Sequence, residues 1–290
     1  MIQESLSVWT DQVRAGLAER TDRPASPLYD KGIVDEPEVR VPLDDLHQII
    51  GPEGPDEMAH WEGTPELIAG RLGQAVTFDG STYVEVGDVA AYDYEDPFSV
   101  VAWIYPDASA GGAIVSRMES DTNERKGFSV ELHDGHIHVN VVRRWLDDCL
   151  RVRSVQKVTP EQWQHVVSTY DGSKLFGGIV LYLDGEPLEL EVIVNDLQQP
   201  FVADEPFRIG SRGTQERFHG RIDDVRLFDR VLQPKEVRTL SVAESTDELL
   251  MAPHSKLSDR QQSKLRQLSL IHISEPTRRT PISYAVFCLK

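Results

Sequence analysis

Two short strands and the turn between them are encoded by Val76-Thr77-Phe78-Asp79-Gly80-Ser81-Thr82-Tyr83-Val84-Glu85-Val86. Apolar and polar residues alternate on both sides of Asp79-Gly80, a dipeptide that favours a tight turn. Alternation with a period of two is typical of strands that have one face in a core and the other in solvent. The stretch therefore predicts a strand–turn–strand unit at the start of a β domain.

The strand pattern continues from this unit to Phe228. The segment Phe98 to Tyr105 is almost wholly apolar, as expected of a strand in the centre of a sandwich. Asp134-Gly135 joins two further strand-like segments, and Asp171-Gly172 and Asp184-Gly185 end others. Short strands separated by such turn signals predict an all-β antiparallel sandwich, or jelly roll, with short helical flanks.

The flanks of the strand-rich region have a different composition. Residues 3–20 have the apolar spacing of an amphipathic helix. Residues 21–65 are rich in proline and acidic side chains, which indicates a linker or an extended strap rather than a part of the core. Near the other end, Pro234 predicts a helix to about Leu240, and Ser258-Asp259-Arg260-Gln261 has the pattern of a capping box. We divide the chain into the end of a preceding domain (1–65), the sandwich (66–240), the start of a following helical region (241–267) and a tail (268–290).

The composition excludes several classes of function. The 290 residues carry a formal net charge of −18, which disfavours nucleic acids and anionic membrane surfaces as partners. The chain has no apolar run long enough for a membrane span, so none is predicted. Cys149 and Cys288 fit neither a disulfide framework nor a zinc spacing, and we expect both to be free.

Several strand motifs together resemble the laminin-G / concanavalin-A-like jelly-roll domain over about residues 66–240. The resemblance implies an antiparallel sandwich that works as a recognition module or as an enzyme. The motifs are Phe78-Asp79-Gly80, Trp163-Gln164-His165-Val166, Thr169-Tyr170-Asp171-Gly172, Leu183-Asp184-Gly185, Ile209-Gly210 and Gly220-Arg221-Ile222-Asp223-Asp224-Val225-Arg226-Leu227-Phe228.

The flanks resemble large planctomycete-type surface proteins, in which a cytochrome-c-like module and domains of unknown function surround such a domain. The segments Leu249–Arg266 and Trp145–Arg153 carry this resemblance. It implies that the chain is a fragment of a larger extracytoplasmic protein. The haem motif Cys-x-x-Cys-His does not occur in the sequence, so the resemblance implies no haem here. Residues 268–290 are similar to translated sequencing-adapter sequence, and we leave them out of the functional argument.

Trp145 is the first candidate for ligand binding. It lies in a loop between strands, after Arg143-Arg144 and before Asp147-Asp148. An exposed indole can stack on a pyranose ring, and arginines can bind the carboxylate or sulfate groups of an acidic glycan. The alternative is a charged hairpin tip that binds nothing.

The hairpin at Asp134-Gly135 is a candidate site for a transition metal. A two-residue turn places His133 opposite His136 and Glu131 opposite His138, so that the four side chains share one face. Val130, Leu132, Ile137 and Val139 would share the other face, toward the core. Imidazole and carboxylate groups bind zinc and similar metals, although an ordinary polar outer face explains the same pattern.

Structural calcium is the cofactor implied by the family resemblance. Laminin-G-like domains often hold one Ca²⁺ with carboxylate and backbone oxygens, and Asp79 and Asp224 stand at matching motif positions. We therefore expect these two carboxylates to share an ion near the edge of the sandwich.

Glu119, Asp121 and Glu124 match the Glu-x-Asp-x-x-Glu pattern of laminarinase-type glycosidases, which share this fold class. The two working carboxylates of a retaining glycosidase lie about 5.5 Å apart on one face of a strand. Here Ser, Thr and Asn separate the acids, a composition typical of a solvated loop. Catalysis thus requires that the three carboxylates lie on a sheet face.

The leading hypothesis for function is a non-catalytic recognition or structural module that contacts polysaccharide or protein surfaces. The alternatives are a glycoside hydrolase and an inert spacer domain. One jelly-roll fold hosts all three, so the outer surface of the domain must decide between them.

Overall fold

A computed structural model of the chain describes most of the residues between Val34 and Ser274. The amphipathic helix predicted at residues 3–20 and most of the tail predicted at 268–290 lie outside the described part. The described residues are 34–51, 59–108, 111–119, 125–213, 216–244 and 246–274.

Sixteen strands lie in the described residues and confirm the all-β expectation. In chain order they are β1 (Val39–Val41), β2 (His60–Glu62), β3 (Glu66–Ala69), β4 (Gln74–Asp79), β5 (Tyr83–Gly87), β6 (Phe98–Pro106), β7 (Gly112–Met118), β8 (Gly127–His133), β9 (His136–Arg144), β10 (Asp148–Lys157), β11 (Gln164–Tyr170), β12 (Ile179–Leu183), β13 (Glu186–Pro187), β14 (Leu190–Asp196), β15 (Phe207–Ile209) and β16 (His219–Phe228).

The strands form two antiparallel sheets that pack face to face as a sandwich. The first sheet has the order β13-β12-β11-β6-β16-β4-β3, and β1 also pairs with β16. The second has the order β14-β10-β9-β8-β7-β15-β5-β2. Phe78 on β4 lies opposite Gly220 on β16, so the early and late strand motifs pair with each other.

The core lies between the sheets and centres on Phe98. Tyr92 stacks on Phe98 with ring centroids 4.8 Å apart, and Phe128 and Tyr170 lie 4.9 and 5.5 Å away. All four rings are buried. Aromatic groups of this size contribute a large part of the stabilising apolar burial, and their offset and tilted contacts add to it.

The sandwich begins earlier in the chain than the sequence analysis predicts. Residues 21–65 were assigned to a linker, yet β1 pairs with β16 and β2 pairs with β5. The alternating segment Val39-Arg40-Val41 is only three residues long and stands between Pro37 and Pro42, so its local pattern is too short to stand out. Residues 37–237 form one compact unit.

The chain from Arg238 onward belongs to a second compact unit. The boundary lies within helix α1 (Pro234–Leu240), and the second unit contains α2 (Thr246–Met251) and α3 (Asp259–Ser274). The capping box is confirmed, because Ser258 N donates to Gln261 Oε1 at 2.8 Å and Gln261 N donates to Ser258 Oγ at 3.4 Å. No helix in the described ranges is both long and apolar enough to cross a membrane.

Candidate functional site

The hairpin of β8 and β9 has the register that the sequence predicts. Asp134 and Gly135 form the two-residue turn with φ angles of 51° and 81°, in the left-handed region that this turn requires. Glu131 pairs with His138, and His133 pairs with His136. The Val130, Leu132, Ile137 and Val139 side chains join the core, as expected.

The outer face of this hairpin, on the side away from the core, carries a buried polar network. Ser129, Glu131 and Asn140 are only 0%, 1% and 1% exposed. Ser129 Oγ donates to Glu131 Oε1 at 2.6 Å and accepts from Asn140 Nδ2 at 3.1 Å. Arg151 Nε on β10 donates to Asn140 Oδ1 at 3.3 Å. Outward-facing polar groups are buried here because other side chains cover this face.

Arg212, which follows β15, covers the buried carboxylate of Glu131. Its Nε lies 3.3 Å from Glu131 Oε1, and its Nη2 lies 3.1 Å from Glu216 Oε1. The second oxygens of the two carboxylates face His133, whose Nε2 lies 2.7 Å from Glu131 Oε2 and 3.9 Å from Glu216 Oε2. We call Glu131, His133 and Glu216 the Glu131 site.

The charges of this site stabilise one another. Burial raises the pKa of Glu131, but the hydrogen bond from His133, the charge of Arg212 and the hydroxyl of Ser129 outweigh burial, so its pKa is lowered. The hydrogen bond to Glu131 raises the pKa of His133. Glu131 is therefore a carboxylate at neutral pH although it is buried.

The structure brings together only part of the metal site predicted from the hairpin. His138 lies beside His133, with ring centroids 5.2 Å apart, and burial lowers its pKa to about 4, so it is neutral at pH 7. His136 is not part of the cluster, because its Nδ1 binds the carbonyl oxygen of Ser154 at 2.8 Å. Glu216 replaces it as the third group within reach.

Trp145 lies next to this network in the turn between β9 and β10. The guanidinium carbon of Arg151 lies 3.9 Å from the centroid of the indole ring. The corresponding distances are 4.9 Å for Arg125 and 5.0 Å for Arg212. We call these four residues the Trp145 cluster. They come from four different parts of the second sheet.

The Trp145 ring is half-buried on a small apolar base. It packs against Met118, Val142 and Cys149, which form a separate buried cluster on the outer face. Cys149 is a free, buried thiol, and burial raises its pKa to about 11. The base holds the indole in one orientation, and the indole in turn attracts the guanidinium groups through its π face.

The arginines that surround Trp145 are not the ones that the sequence analysis proposed. Arg144 is exposed and pairs with Asp147 across the turn at 2.9 Å, a weak surface ion pair. Arg151, on β10, is the arginine whose guanidinium carbon lies 3.9 Å from the ring centroid. A guanidinium group over the ring leaves less of the indole open for pyranose stacking than the sequence analysis expects.

Arg151 is the member of the cluster best placed to meet a ligand. Burial lowers the pKa of its guanidinium, and the charges of Arg212 and Arg125 act in the same direction. Within the described residues its hydrogen bond to Asn140 uses Nε, which leaves Nη1 and Nη2 for an acceptor. A bound anion would offset the repulsion between the three like charges.

The calcium site predicted at Asp79 and Asp224 is not assembled. Asp79 pairs with His219, and Asp224 stands five residues further along β16, about 16 Å away at the usual rise of a strand. Asp79 Oδ1 accepts hydrogen bonds from the backbone of Ser81 and Thr82 at 2.9 and 2.8 Å, and bonds to these two residues lower its pKa. One ion cannot bind both carboxylates.

Asp224 is instead a buried partner of two arginines. It lies at a β-bulge in β16 with a φ of 48°, and this conformation directs its side chain between β1 and β16. Its carboxylate lies 2.6 Å from both Arg40 Nε and Arg226 Nη2. Burial raises the pKa of Asp224, but the two guanidinium groups outweigh burial and lower it.

The neighbouring Asp223 has the opposite electrostatics. Its Oδ2 accepts hydrogen bonds from the backbone of Arg71 and Leu72 at 2.7 and 2.8 Å, while Oδ1 is buried without a hydrogen-bond partner among the described residues. Burial raises the pKa of Asp223 to about 8, more than the two backbone bonds lower it, and the charge of Asp224 adds to the rise. The folded protein thus holds a proton here at neutral pH.

The acidic motif predicted for catalysis falls largely outside the described residues. Glu119 follows the end of β7 and lies 3.2 Å from Lys126 Nζ. Asp121 and Glu124 belong to the part of the chain that is not described. A loop position for Glu119 does not provide the sheet-face arrangement that a glycosidase needs.

A match to a family model identifies the fold family. The model described as the concanavalin A-like lectin/glucanases superfamily matches residues 78–238 of the 290. The chain belongs to this superfamily. The superfamily domain therefore includes both the Glu131 site and the Trp145 cluster. The resemblance inferred from the strand motifs is confirmed.

The superfamily domain is also similar to parts of known proteins. Adhesion G-protein coupled receptor V1 of Danio rerio is 27% identical over 191 residues, which are 61% of this chain and 3% of the receptor. The binding domain of Paraclostridial Mosquitocidal Protein 1 has a TM-score of 0.52 at 16% identity, with 71% of this chain and 51% of that chain covered. The binding domain of botulinum neurotoxin DC in complex with SialylT has a TM-score of 0.51 at 13% identity, with 72% and 52% covered.

Proposed function

We propose that this domain is a non-catalytic recognition module of a larger extracytoplasmic protein, and that the Trp145 cluster binds an anionic polysaccharide. One observation carries the proposal. Three guanidinium groups lie between 3.9 and 5.0 Å from one indole ring, in a chain with a net charge of −18. Arg212 is already paired with Glu131 and Glu216, so Arg151, which uses only Nε within the described residues, is the member that would meet an anion.

The chemistry of the cluster favours sulfate or carboxylate groups over neutral sugars. Guanidinium groups donate paired hydrogen bonds to such anions, and Arg151 has its two terminal nitrogens available in the described structure. A neutral sugar would need an open aromatic face, but Arg151 covers the ring. Trp145 acts as the support that holds the arginines together rather than as a stacking surface.

The acids next to the cluster do not favour hydrolysis. A glycosidase needs an accessible carboxylic acid with a raised pKa that protonates the leaving group. Glu131 is 1% exposed and its pKa is lowered. Glu216 is engaged by Arg212 at 3.1 Å. These features support a binding role, and the extracytoplasmic location rests on the family resemblance.

A glycan array with the full chain tests the proposed ligand class. We expect binding to sulfated and uronic-acid glycans but not to neutral glycans with the same backbone. Trp145→Ala should abolish this binding because the arginines lose their common support. The proposal is wrong if neutral glycans bind equally well, if Trp145→Ala binds like the wild type, or if no glycan binds, as expected of a spacer domain.

A further inference from the structure

The Glu131 site brings together three potential metal ligands, two carboxylates and one imidazole, whereas an ordinary ion pair has two groups. One atom from each of Glu131, His133 and Glu216 lies within 4.8 Å of the other two. Glu131 is buried, whereas His133 and Glu216 have side-chain exposures of 36% and 33%. The site is therefore anchored in the sheet and open to solvent on one side.

Each of the two carboxylates has one oxygen on the side of Arg212 and the other on the side of His133. It binds Oε1 of Glu131 and Oε1 of Glu216, while both Oε2 atoms face His133 Nε2. A hydrogen-bonded partner on the far oxygen of a carboxylate is the usual device by which proteins orient a metal ligand. Ser129 Oγ adds a second such bond to Glu131 Oε1 at 2.6 Å.

We propose that Glu131, His133 and Glu216 bind a divalent transition metal of the zinc class. The ion takes the place of the proton on His133 Nε2, which leaves to solvent when the metal binds. An imidazole nitrogen with two carboxylate oxygens suits zinc, whereas calcium requires six to eight oxygens. A water molecule would complete the tetrahedral set that zinc prefers.

Metal binding would also stabilise the position of Arg212 in the Trp145 cluster. Glu216 precedes β16 and Glu131 belongs to β8, so an ion between them joins two parts of the chain that are distant in sequence. Arg212 touches both carboxylates and also Trp145. The metal therefore fixes one of the three arginines of the cluster. This coupling rests on the proposed function, whereas metal binding itself does not.

Calorimetric titration of the full chain with Zn²⁺ tests the site. We expect His133→Gln and Glu216→Gln to lose one equivalent of binding, or to weaken it at least tenfold. His60→Gln is the matched control, because His60 and Glu62 form an exposed His–Glu pair at 3.4 Å that has no third ligand group among the described residues. A Co²⁺ absorption band that is present in the wild type and in His60→Gln but lost in His133→Gln would support the same ligands.

The proposal fails if the wild type binds no Zn²⁺, or if His133→Gln and Glu216→Gln titrate like His60→Gln. Arg151→Gln separates this inference from the proposed function. It should retain Zn²⁺ binding, because Arg151 contacts Trp145 and Asn140 but none of the three ligands. Loss of Zn²⁺ binding in this variant would also contradict the assignment. Zinc binding without glycan binding would refute the glycan proposal alone.

Discussion

Replacement of Asp224 by Asn tests whether this carboxylate is a structural partner of arginines or a ligand of calcium. The change keeps the size of the side chain, and Asn tolerates the left-handed backbone at this bulge as well as Asp does. It removes the charge that lies 2.6 Å from both Arg40 Nε and Arg226 Nη2. The two buried or half-buried guanidinium groups then lose their shared counter-charge.

The burial of the Asp224 ion pairs determines how much stability Asp224→Asn should lose. Removal of one partner from a buried ion pair costs about 3–5 kcal/mol, because the remaining buried charge loses its nearest counter-charge. In a unit of about 200 residues, Pro37–Val237, each kcal/mol lowers the melting temperature by about 2–4 °C. We expect Asp224→Asn to melt about 6–20 °C below the wild type at pH 7.

Thermal unfolding followed by circular dichroism, with calcium and with a chelator, provides the measurement. Asp79→Asn is the control, because its carboxylate is exposed and holds only the turn at Ser81 and Thr82. Asp79→Asn should lower the free energy of unfolding by about 1 kcal/mol. Neither variant should change the response to calcium. Our reasoning is refuted if Asp224→Asn melts within about 2 °C of the wild type, or if calcium stabilises the wild type but not this variant.

Two further predictions concern the first sheet. Gly220→Ala should destabilise by at least about 2 kcal/mol in urea unfolding, because φ is +137° and a Cβ would lie 2.3 Å from the carbonyl oxygen of Tyr105. Gly177→Ala, where no described atom lies within 4 Å of the added Cβ, should be nearly neutral, and equal effects of the two substitutions would contradict the packing described here. Because the pKa of Asp223 is raised to about 8 in the folded state, its contribution to stability is complete below the unfolded value near 4 and is lost progressively as pH rises through about 8. Asp223→Asn should therefore gain stability relative to the wild type between pH 5 and 9, and a constant difference across this range would contradict the assignment.

The fold was predictable because its signals are local. The Asp134-Gly135 turn determines the register of β8 and β9, and alternation alone places Glu131 and His133 on the outer face. The same logic places Arg151 on the outer face of β10, opposite Leu150 and Val152, and this signal was available in the sequence. We assigned the flanking Arg143 and Arg144 instead because they adjoin Trp145 in the chain.

The rest of the site depends on sheet order, which local patterns do not determine. Arg212 reaches Glu131 and Trp145 because β15 pairs with β7 rather than with its neighbour in sequence. Glu216 lies in the same connection as Arg212, between β15 and β16. A bulge at Asp224 likewise has no local signal, since a non-glycine residue at positive φ depends on its tertiary partners. These contacts between distant parts of the chain form the candidate site.

The affinity of Arg151→Gln for heparin, compared with Arg144→Gln, is the most direct test of the recognition role. Each variant removes one positive charge, but Arg151 lies 3.9 Å from the Trp145 ring centroid whereas Arg144 pairs with Asp147. A charge-assisted hydrogen bond is worth about 1.5–3 kcal/mol, so calorimetry should show about 10- to 100-fold weaker binding for Arg151→Gln. Arg144→Gln should bind within about twofold of the wild type. Equal losses in the two variants, or no heparin binding by the wild type, would contradict the assignment of the Trp145 cluster as an anionic polysaccharide site.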